Sequence, residues 1–365
     1  MTFLKKISCL GLLCLGVSGC TFTKSIVWMF PDMRDQHRFA KSWVKHDDTP
    51  FDFVESGQTE YYNNRIVVPG DKYSLQTTNL DGYLKKSNAQ AFMIIRNDSI
   101  LYERYFKGYK AENALSSFSV AKSFLGMLTG IAFAEGKLSS REASICDYLP
   151  QLDRKQFEKV HISHLLNQTS GLHFRISSSL YYSNDLKRTV LPKGLRCAPG
   201  THFRYENGNS QLLAMILEQA YQQPISQLLQ DKIWSKIGTR NDLFWSQDSK
   251  KHQENKAFCC MNAPARDFAK FGKLLLQRGQ WNGEQIIPEA WIDDTFYKRN
   301  TAEGASARYR NQMWSENGYV AAVGMYGQYI YLCPKKHLML IMFSSRAYSL
   351  HPFREDFFGN VIEQL

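Results

Sequence analysis

A serine and a lysine stand three residues apart inside an apolar stretch, SSFSVAKSF at positions 116–124. The run continues as LGMLTGIAFAEG, which predicts a largely buried helix that ends at Gly136. Residues at this spacing share one face of a helix, so the Lys122 amine would lie beside the Ser119 hydroxyl. Burial of an unpaired lysine favours its neutral form, which can accept a proton. The pattern therefore predicts a general base next to a nucleophile.

The elements around this pair are those of an α/β protein. Two apolar runs flank Asn97-Asp98 and predict a hairpin shortly before the serine. From about 150 to 250 the pattern is helical and rich in loops. The tail NGYVAAVGMYGQYIYLCPKKHLMLIMFSS predicts two strands, a turn at Pro334 and a third strand, with a last helix near 353–364. Strands at both ends with helices between them predict an α/β body and an all-α insertion.

Three further motifs occur at compatible places: Tyr205-Glu206-Asn207 within APGTHFRYENGNSQLL, HLLNQTSGL at 164–172, and GMYGQYIYL at 324–332. With them, the chain resembles the serine β-lactamase class C and penicillin-binding-protein-like family, above all its esterase and aminohexanoate-oligomer hydrolase branch. The resemblance runs from about residue 88 to residue 360.

This resemblance implies a β-lactamase-like α/β fold, with an antiparallel sheet flanked by helices and an all-α subdomain. The hydrolase domain would span residues 86–365, with the α/β body at 86–150 and 255–365 and the all-α insertion at 151–254. Residues 20–85 would be an N-terminal extension that wraps the main body.

The resemblance also assigns roles. Ser119 would be the nucleophile, Lys122 its base, and Tyr205 the group that passes the proton to the leaving group. Backbone N–H groups of Ser119 and Gln328 would hold the oxyanion. The residues expected to bind substrate are Asn207, Met325, Tyr326, Gly327 and Gln328, together with Tyr181 and Tyr182 as candidates for the pocket lining. No metal and no cofactor is implied.

The choice of tyrosine has rivals, because the Y-x-N pattern also occurs at Tyr62, Tyr182 and Tyr309. Tyr205 is preferred because a Pro-Gly-Thr turn precedes it and an apolar helix follows it. Tyr62 precedes the serine helix entirely, and Tyr309 falls just before the final strands. Tyr182 is the nearest rival, and it lacks both neighbouring features.

One motif departs from the family pattern. Its third motif usually begins with Lys or His, whereas the matching triplet here is Met325-Tyr326-Gly327. We therefore expect weak or no classical β-lactamase activity. A cation from the loop at 173–195, namely Arg175, Lys187 or Arg188, could replace the missing charge.

Histidines and cysteines suggest no other chemistry. No G-x-S-x-G elbow accompanies the histidines, and no zinc or redox spacing occurs among the cysteines. Cys259 and Cys260 are adjacent and would close only a strained ring. The cysteines after residue 20 are therefore expected to be mostly buried packing residues.

The N-terminus predicts export. Two lysines, an apolar run too short to span a membrane and small residues lead to Val17-Ser18-Gly19-Cys20, which resembles a bacterial lipobox. Residues 1–19 would be the signal peptide and Cys20 the lipidated residue. Thr21, in place of aspartate, favours the outer membrane, facing the periplasm. Removal of Lys5 and Lys6 lowers the formal charge from +11 to +9, and neither the scattered basic residues nor any motif indicates nucleic acid.

The sequence therefore predicts a lipid-anchored periplasmic serine hydrolase that forms an acyl-enzyme with small esters or amides, cell-wall-derived ones included. The alternative is a catalytically silent, cell-wall-associated lipoprotein that uses the fold as a binding module.

Overall fold

Strands from both ends of the chain form the sheets of the computed structural model, which describes residues 31–68, 78–175, 177–301, 304–345 and 355–365. In chain order the strands are β1 (Ala40–Val44), β2 (Val54–Glu55), β3 (Val67–Val68), β4 (Thr78–Asn79), β5 (Ala89–Arg96), β6 (Ser99–Tyr105), β7 (Leu115–Ser116), β8 (Leu243–Gln247), β9 (Met261–Ala263), β10 (Gln280–Trp281), β11 (Glu284–Gln285), β12 (Tyr309–Arg310), β13 (Met313–Glu316), β14 (Tyr319–Gly324), β15 (Gln328–Cys333) and β16 (Leu338–Ser344).

Helices fill the middle of the chain and cover the sheets. Within the described ranges they are α1 (Asp35–Arg38), α2 (Thr59–Arg65), α3 (Leu80–Lys86), α4 (Ala121–Ala134), α5 (Arg154–Phe157), α6 (Ile162–Leu166), α7 (Ser177–Tyr181), α8 (Leu186–Thr189), α9 (Asn207–Tyr221), α10 (Ile225–Lys232), α11 (Ala265–Leu276), α12 (Glu289–Tyr297) and α13 (Glu355–Glu363). None of them, over the ranges given above, is long and apolar enough to cross a membrane.

The larger sheet has the order β12-β13-β14-β15-β16-β5-β6-β2. Its pairs are antiparallel except β2 with β6, which is parallel. Alternate side chains of β5 and β16 enter separate cores, because successive residues of a strand point to opposite faces. Met93 and Ile341 pack into one core, whereas Phe92 and Leu340 pack into the other. Both faces of the sheet centre are therefore covered.

The sequence predicted these terminal elements correctly. The hairpin of β5 and β6 turns at Asn97 and Asp98, which both have positive φ, as a two-residue type I′ turn requires. At the other end, β14, β15 and β16 are the predicted strands, and α13 is the last helix.

A smaller sheet, with the order β1-β8-β9-β7, corrects the predicted division of the chain. Strand β8 lies within residues 151–254, the segment predicted to be all-α, and it pairs with both β1 and β9. The extension predicted at 20–85 supplies β1 to this sheet and β2 to the larger one. Its described part is thus built into the main body, whereas Cys20 and the predicted signal peptide lie outside the described residues.

Helix α4 runs through the interior, and twelve of its residues are buried, Ala121 to Ala132. Close approach by neighbours requires glycine at two positions. A Cβ at Gly126 would lie 2.1 Å from the Asn311 carbonyl oxygen, and one at Gly130 would lie 2.4 Å from the Trp291 ring. The chain leaves the helix near Gly136, which has φ +68°, as predicted. Lys122 is one of these twelve residues, so its side chain is buried among apolar neighbours.

Candidate active site

Ser119 lies in a single 3-10 turn, Phe118–Val120, between β7 and α4; we call this the serine turn. Phe118 has φ +42°, a left-handed conformation that is costly for a side chain of this size. Two hydrogen bonds connect the residue before this turn to strand β9. The Ser117 N–H donates to the Met261 carbonyl at 2.8 Å, and the Met261 N–H donates to the Ser117 hydroxyl at 3.2 Å. The nucleophile candidate is thus fixed to a sheet strand.

Lys122 occupies the first turn of α4, and its side chain is only 1% exposed. Its Nζ lies 2.8 Å from the Ser119 Oγ and 2.8 Å from the Phe258 carbonyl oxygen. Burial holds the pKa of Lys122 well below the ordinary value of 10.5. A neutral amine can donate to the Phe258 carbonyl and accept the Ser119 proton at the same time. The geometry is therefore that of a base in contact with a nucleophile.

Tyr205 also contacts Ser119, and it lies in the loop before α9. Its side chain is 37% exposed, yet burial of its hydroxyl end raises the pKa of Tyr205 to about 12, partly offset by a hydrogen bond with Ser119. The Lys122 Nζ lies 4.9 Å from the ring centroid. At neutral pH this tyrosine holds its proton, so it can act as an acid towards a leaving group.

Aromatic side chains from the edge of the larger sheet hold Tyr205 in place. Trp314 of β13 stacks on it at a centroid distance of 6.0 Å, and Tyr309 of β12 meets it edge-on at 5.7 Å. The Tyr309 hydroxyl donates to the Gln312 Oε1 at 3.2 Å. Tyr309, a rival at the level of sequence, is therefore a buried support of Tyr205.

Of the Y-x-N tyrosines named above, Tyr205 is the one that lies close to Ser119 and Lys122. Tyr62 packs on the core that covers the other face of the larger sheet. Asn207 begins α9 two residues after Tyr205 and is partly exposed. Its side-chain amide makes no hydrogen bond with another described residue, so it is available to a substrate.

The third motif forms the turn between β14 and β15 and lies against the serine turn. A Cβ at Gly324 would be 2.4 Å from the Ser117 carbonyl oxygen, and the Tyr326 ring is 5.3 Å from that of Phe118. Gly327 has φ +87°, and Met325 is 46% exposed. The third motif therefore lies beside the serine turn.

Gln328, the first residue of β15, is fully buried. Its side-chain amide donates to the Met325 carbonyl at 3.0 Å and to the Ser344 carbonyl at 2.7 Å. These bonds fix the turn, while its backbone N–H remains the predicted partner of the Ser119 N–H at the oxyanion.

Tyr181 and Tyr182 do not line an open pocket, contrary to the prediction. They are 5% and 0% exposed, because both pack against Phe39 of the N-terminal extension, at 5.5 and 6.4 Å. The Tyr181 hydroxyl donates to the buried Asp35 carboxylate at 2.9 Å. These tyrosines hold the extension against the body.

The same extension reaches the third motif. The Tyr326 hydroxyl donates a hydrogen bond to the Pro31 carbonyl. Burial raises the pKa of Tyr326, and the nearby carboxylates of Asp32 and Asp35 raise it further. Sequence reasoning missed this contact, and it missed the Phe258 carbonyl that holds Lys122. A backbone carbonyl carries no signature in the side-chain pattern.

Two other sequence expectations have clear outcomes. Lys187, a candidate replacement cation, lies 3.1 Å from Glu254 and 3.8 Å from Glu218, in a cleft of about 570 Å³ that none of the predicted site residues lines. Cys259 and Cys260, expected to be packing thiols, form a disulfide.

Comparisons with known proteins agree with this architecture. The family model described as Beta-lactamase matches residues 80–361. The 6-aminohexanoate-dimer hydrolase of Paenarthrobacter ureafaciens is 23% identical in an alignment of 311 positions that covers 76% of this chain and 78% of that protein.

Solved structures share the fold. A Bacillus anthracis protein provisionally described as a 6-aminohexanoate-dimer hydrolase has a TM-score of 0.78 at 24% identity, over 91% of this chain and 92% of that chain. A class C β-lactamase in complex with cefoxitin has a TM-score of 0.62 at 15% identity, over 78% of this chain and 96% of that chain. The hydrolase EstCE1, with promiscuous acyltransferase activity, has a TM-score of 0.58 at 16% identity, over 78% of this chain and 94% of that chain.

The lowered pKa of Lys122 predicts the pH dependence of acylation. Below that pKa the amine is protonated and cannot accept the Ser119 proton, so the rate should rise with pH and reach its plateau well below pH 10.5. The measurement is the labelling rate with a fluorophosphonate across this range. Lys122→Arg keeps a permanent positive charge and should lose labelling at every pH. A rate that still rises near pH 10.5 would contradict the prediction.

Proposed function

The chain belongs to the Beta-lactamase family and is a serine hydrolase, and we propose that it cleaves small, uncharged esters or amides through an acyl-enzyme on Ser119. The observation that carries the proposal is the buried Lys122 amine, 2.8 Å from the Ser119 hydroxyl. Its lowered pKa favours the neutral form that a base requires. The predicted alternative, a silent binding module, has no use for this arrangement.

The proposed reaction begins with transfer of the Ser119 proton to Lys122 as Oγ bonds to the substrate carbonyl carbon. The backbone N–H groups of Ser119 and Gln328 stabilise the negative oxygen of the tetrahedral intermediate. Tyr205 donates its proton to the departing alcohol or amine and regains one from the Lys122 ammonium. A water molecule then attacks the acyl carbon while the same groups take its proton. The bond from Oγ to the acyl carbon breaks, the proton passes to Oγ, and the free acid leaves.

The third motif indicates which substrate charge the site should prefer. Met325 places an exposed thioether where relatives of the family have a cation, and Lys187 is engaged by Glu254 elsewhere. A substrate carboxylate would therefore meet no positive charge from Met325 or from Lys187. We propose that uncharged acyl groups are preferred, with the aromatic side chains around Tyr205 offering an apolar surface.

The site of action is a separate proposal. The lipobox-like sequence ending at Cys20 supports a lipid anchor in the outer membrane, facing the periplasm. The relatives named for 6-aminohexanoate dimers suggest amides, and the penicillin-binding-protein resemblance suggests cell-wall fragments, as substrate sources to test.

The nucleophile assignment predicts one adduct. After a fluorophosphonate, intact mass should show one probe mass on the wild type and none on Ser119→Ala, while Lys122→Ala should fold and lose acylation. Ser123→Ala is the matched control, because Ser123 lies on the same helix as Lys122 but its hydroxyl donates to the Gln312 carbonyl, so this variant should still label. A folded wild-type protein without any adduct would favour the silent binding module.

The charge argument predicts a change of preference in Met325→Lys. An exposed ion pair contributes up to about 1 kcal/mol, so kcat/KM for nitrocefin should rise roughly fivefold relative to that for a short p-nitrophenyl ester. Met325→Leu keeps the site apolar and should leave the ratio unchanged. The wild type should hydrolyse the ester and little or no nitrocefin. Efficient nitrocefin turnover by the wild type would show that another cation serves this site.

The anchor predicts that palmitate labelling disappears in Cys20→Ala and that this variant is released into the soluble periplasm. Cys14→Ala, within the predicted signal peptide, should keep the label. A wild type that fractionates as soluble would remove the anchor from the proposal and leave the hydrolase intact.

A further inference from the structure

The disulfide between Cys259 and Cys260 lies between two residues that touch the catalytic machinery. On one side, the Phe258 carbonyl accepts a hydrogen bond from the Lys122 amine at 2.8 Å. On the other side, Met261 exchanges hydrogen bonds with Ser117, at the base of the serine turn. A change in the peptide unit between the cysteines would move one of these contacts relative to the other.

One neighbouring strand, β8, makes hydrogen bonds to the carbonyls of this dipeptide. The Trp245 Nε1 donates to the Cys259 carbonyl at 2.8 Å, and the Ser246 N–H donates to the Cys260 carbonyl at 3.1 Å. Cys260 itself has φ +72°, which is unfavourable for a residue with a side chain. The S–S bond closes a small ring across this unfavourable conformation and holds it in place.

A stability role explains this disulfide poorly. A disulfide stabilises mainly by restricting the unfolded chain, and the effect falls as the closed loop shortens. Adjacent cysteines close the shortest loop available. Both cysteines are also 3% exposed, and they directly follow Phe258, whose carbonyl contacts a lysine that depends on burial for its neutral form.

We infer that the Cys259–Cys260 disulfide is a positioning element for Lys122, and that its reduction slows acylation of Ser119 without unfolding the protein. The inference rests on the proposed function. Reduction by a dithiol breaks the S–S bond, gives each cysteine sulfur one hydrogen, and converts the dithiol into its own disulfide. The freed dipeptide relaxes, the Phe258 carbonyl moves from the amine, and water reaches Lys122.

Entry of water changes the pKa of Lys122 in one direction. Burial is the cause of the lowered pKa of Lys122, so partial solvation moves that pKa back towards 10.5. The acid limb of the pH–rate profile for acylation should therefore move to higher pH in the reduced protein. A role confined to stability would not move it.

The experiment compares fluorophosphonate labelling rates of the full chain before and after dithiothreitol, with reduction verified by thiol alkylation of the 259–260 peptide. At neutral pH the reduced protein should label about tenfold more slowly, with the acid limb displaced upward and thermal unfolding still cooperative. Reoxidation with a small disulfide should restore the original rate. The double variant Cys259→Ser, Cys260→Ser should label at the rate of the reduced protein, and dithiothreitol should not change that rate.

Cys197→Ser is the control, because it removes a free, partly exposed cysteine and should keep the full response to dithiothreitol. Equal rates and equal pH profiles before and after verified reduction would overturn the inference and leave the proposed function standing. A double variant with wild-type rate and profile would overturn it as well. Absence of labelling in the oxidised wild type would overturn the proposed function and this inference together.

Discussion

The site depends on one buried amine that has no carboxylate partner among the described residues. Lys122 is surrounded because α4 runs through the interior, and neighbours approach that helix closely at Gly126 and Gly130. Its hydrogen-bond partners are a hydroxyl and a backbone carbonyl, which accommodate a neutral amine. An ion pair at the same place would have fixed the lysine as a cation and removed its use as a base.

This arrangement costs stability. At a pH between the folded and the unfolded pKa, the unfolded lysine is protonated and the folded one is neutral, so folding releases a proton and costs about 1.4 kcal/mol for each unit by which the pH lies below the unfolded pKa. The cost grows as the pH falls from the unfolded pKa towards the folded one. The two cores on the faces of the larger sheet supply the burial that offsets it. Remote segments converge on the lysine because the sheets connect both ends of the chain.

Sequence reasoning succeeded where a pattern is local and strong. The type I′ hairpin at Asn97, the helix that ends near Gly136 and the three terminal strands each carry a periodic apolar pattern with a clear turn signal. The contact of Ser119 with Lys122 follows from helical spacing alone. Tyr205 could be distinguished from the other Y-x-N tyrosines only by the turn that precedes it and the helix that follows it.

The failures have equally physical causes. Strand β8 is five residues long, and all five residues are buried, so it lacks the alternating pattern of a half-buried strand. The segment around it reads as helical, and the strand was therefore not predicted. Tyr181 was predicted to line the pocket, but its orientation depends on Asp35, more than a hundred residues away in the chain. The disulfide and the Phe258 carbonyl depend on the backbone conformation, which side-chain patterns do not encode.

The hydrogen bond from Tyr326 to Pro31 has a geometric consequence for substrate supply. Pro31 follows Cys20 by eleven positions (31 − 20), and an extended chain of that length spans at most about 40 Å. With the lipid that we propose on Cys20, the third motif beside Ser119 can be no farther than this from the bilayer surface. The enzyme would then sample a thin layer of periplasm next to the membrane, and molecules concentrated in that layer would reach Ser119 more often than those in the bulk.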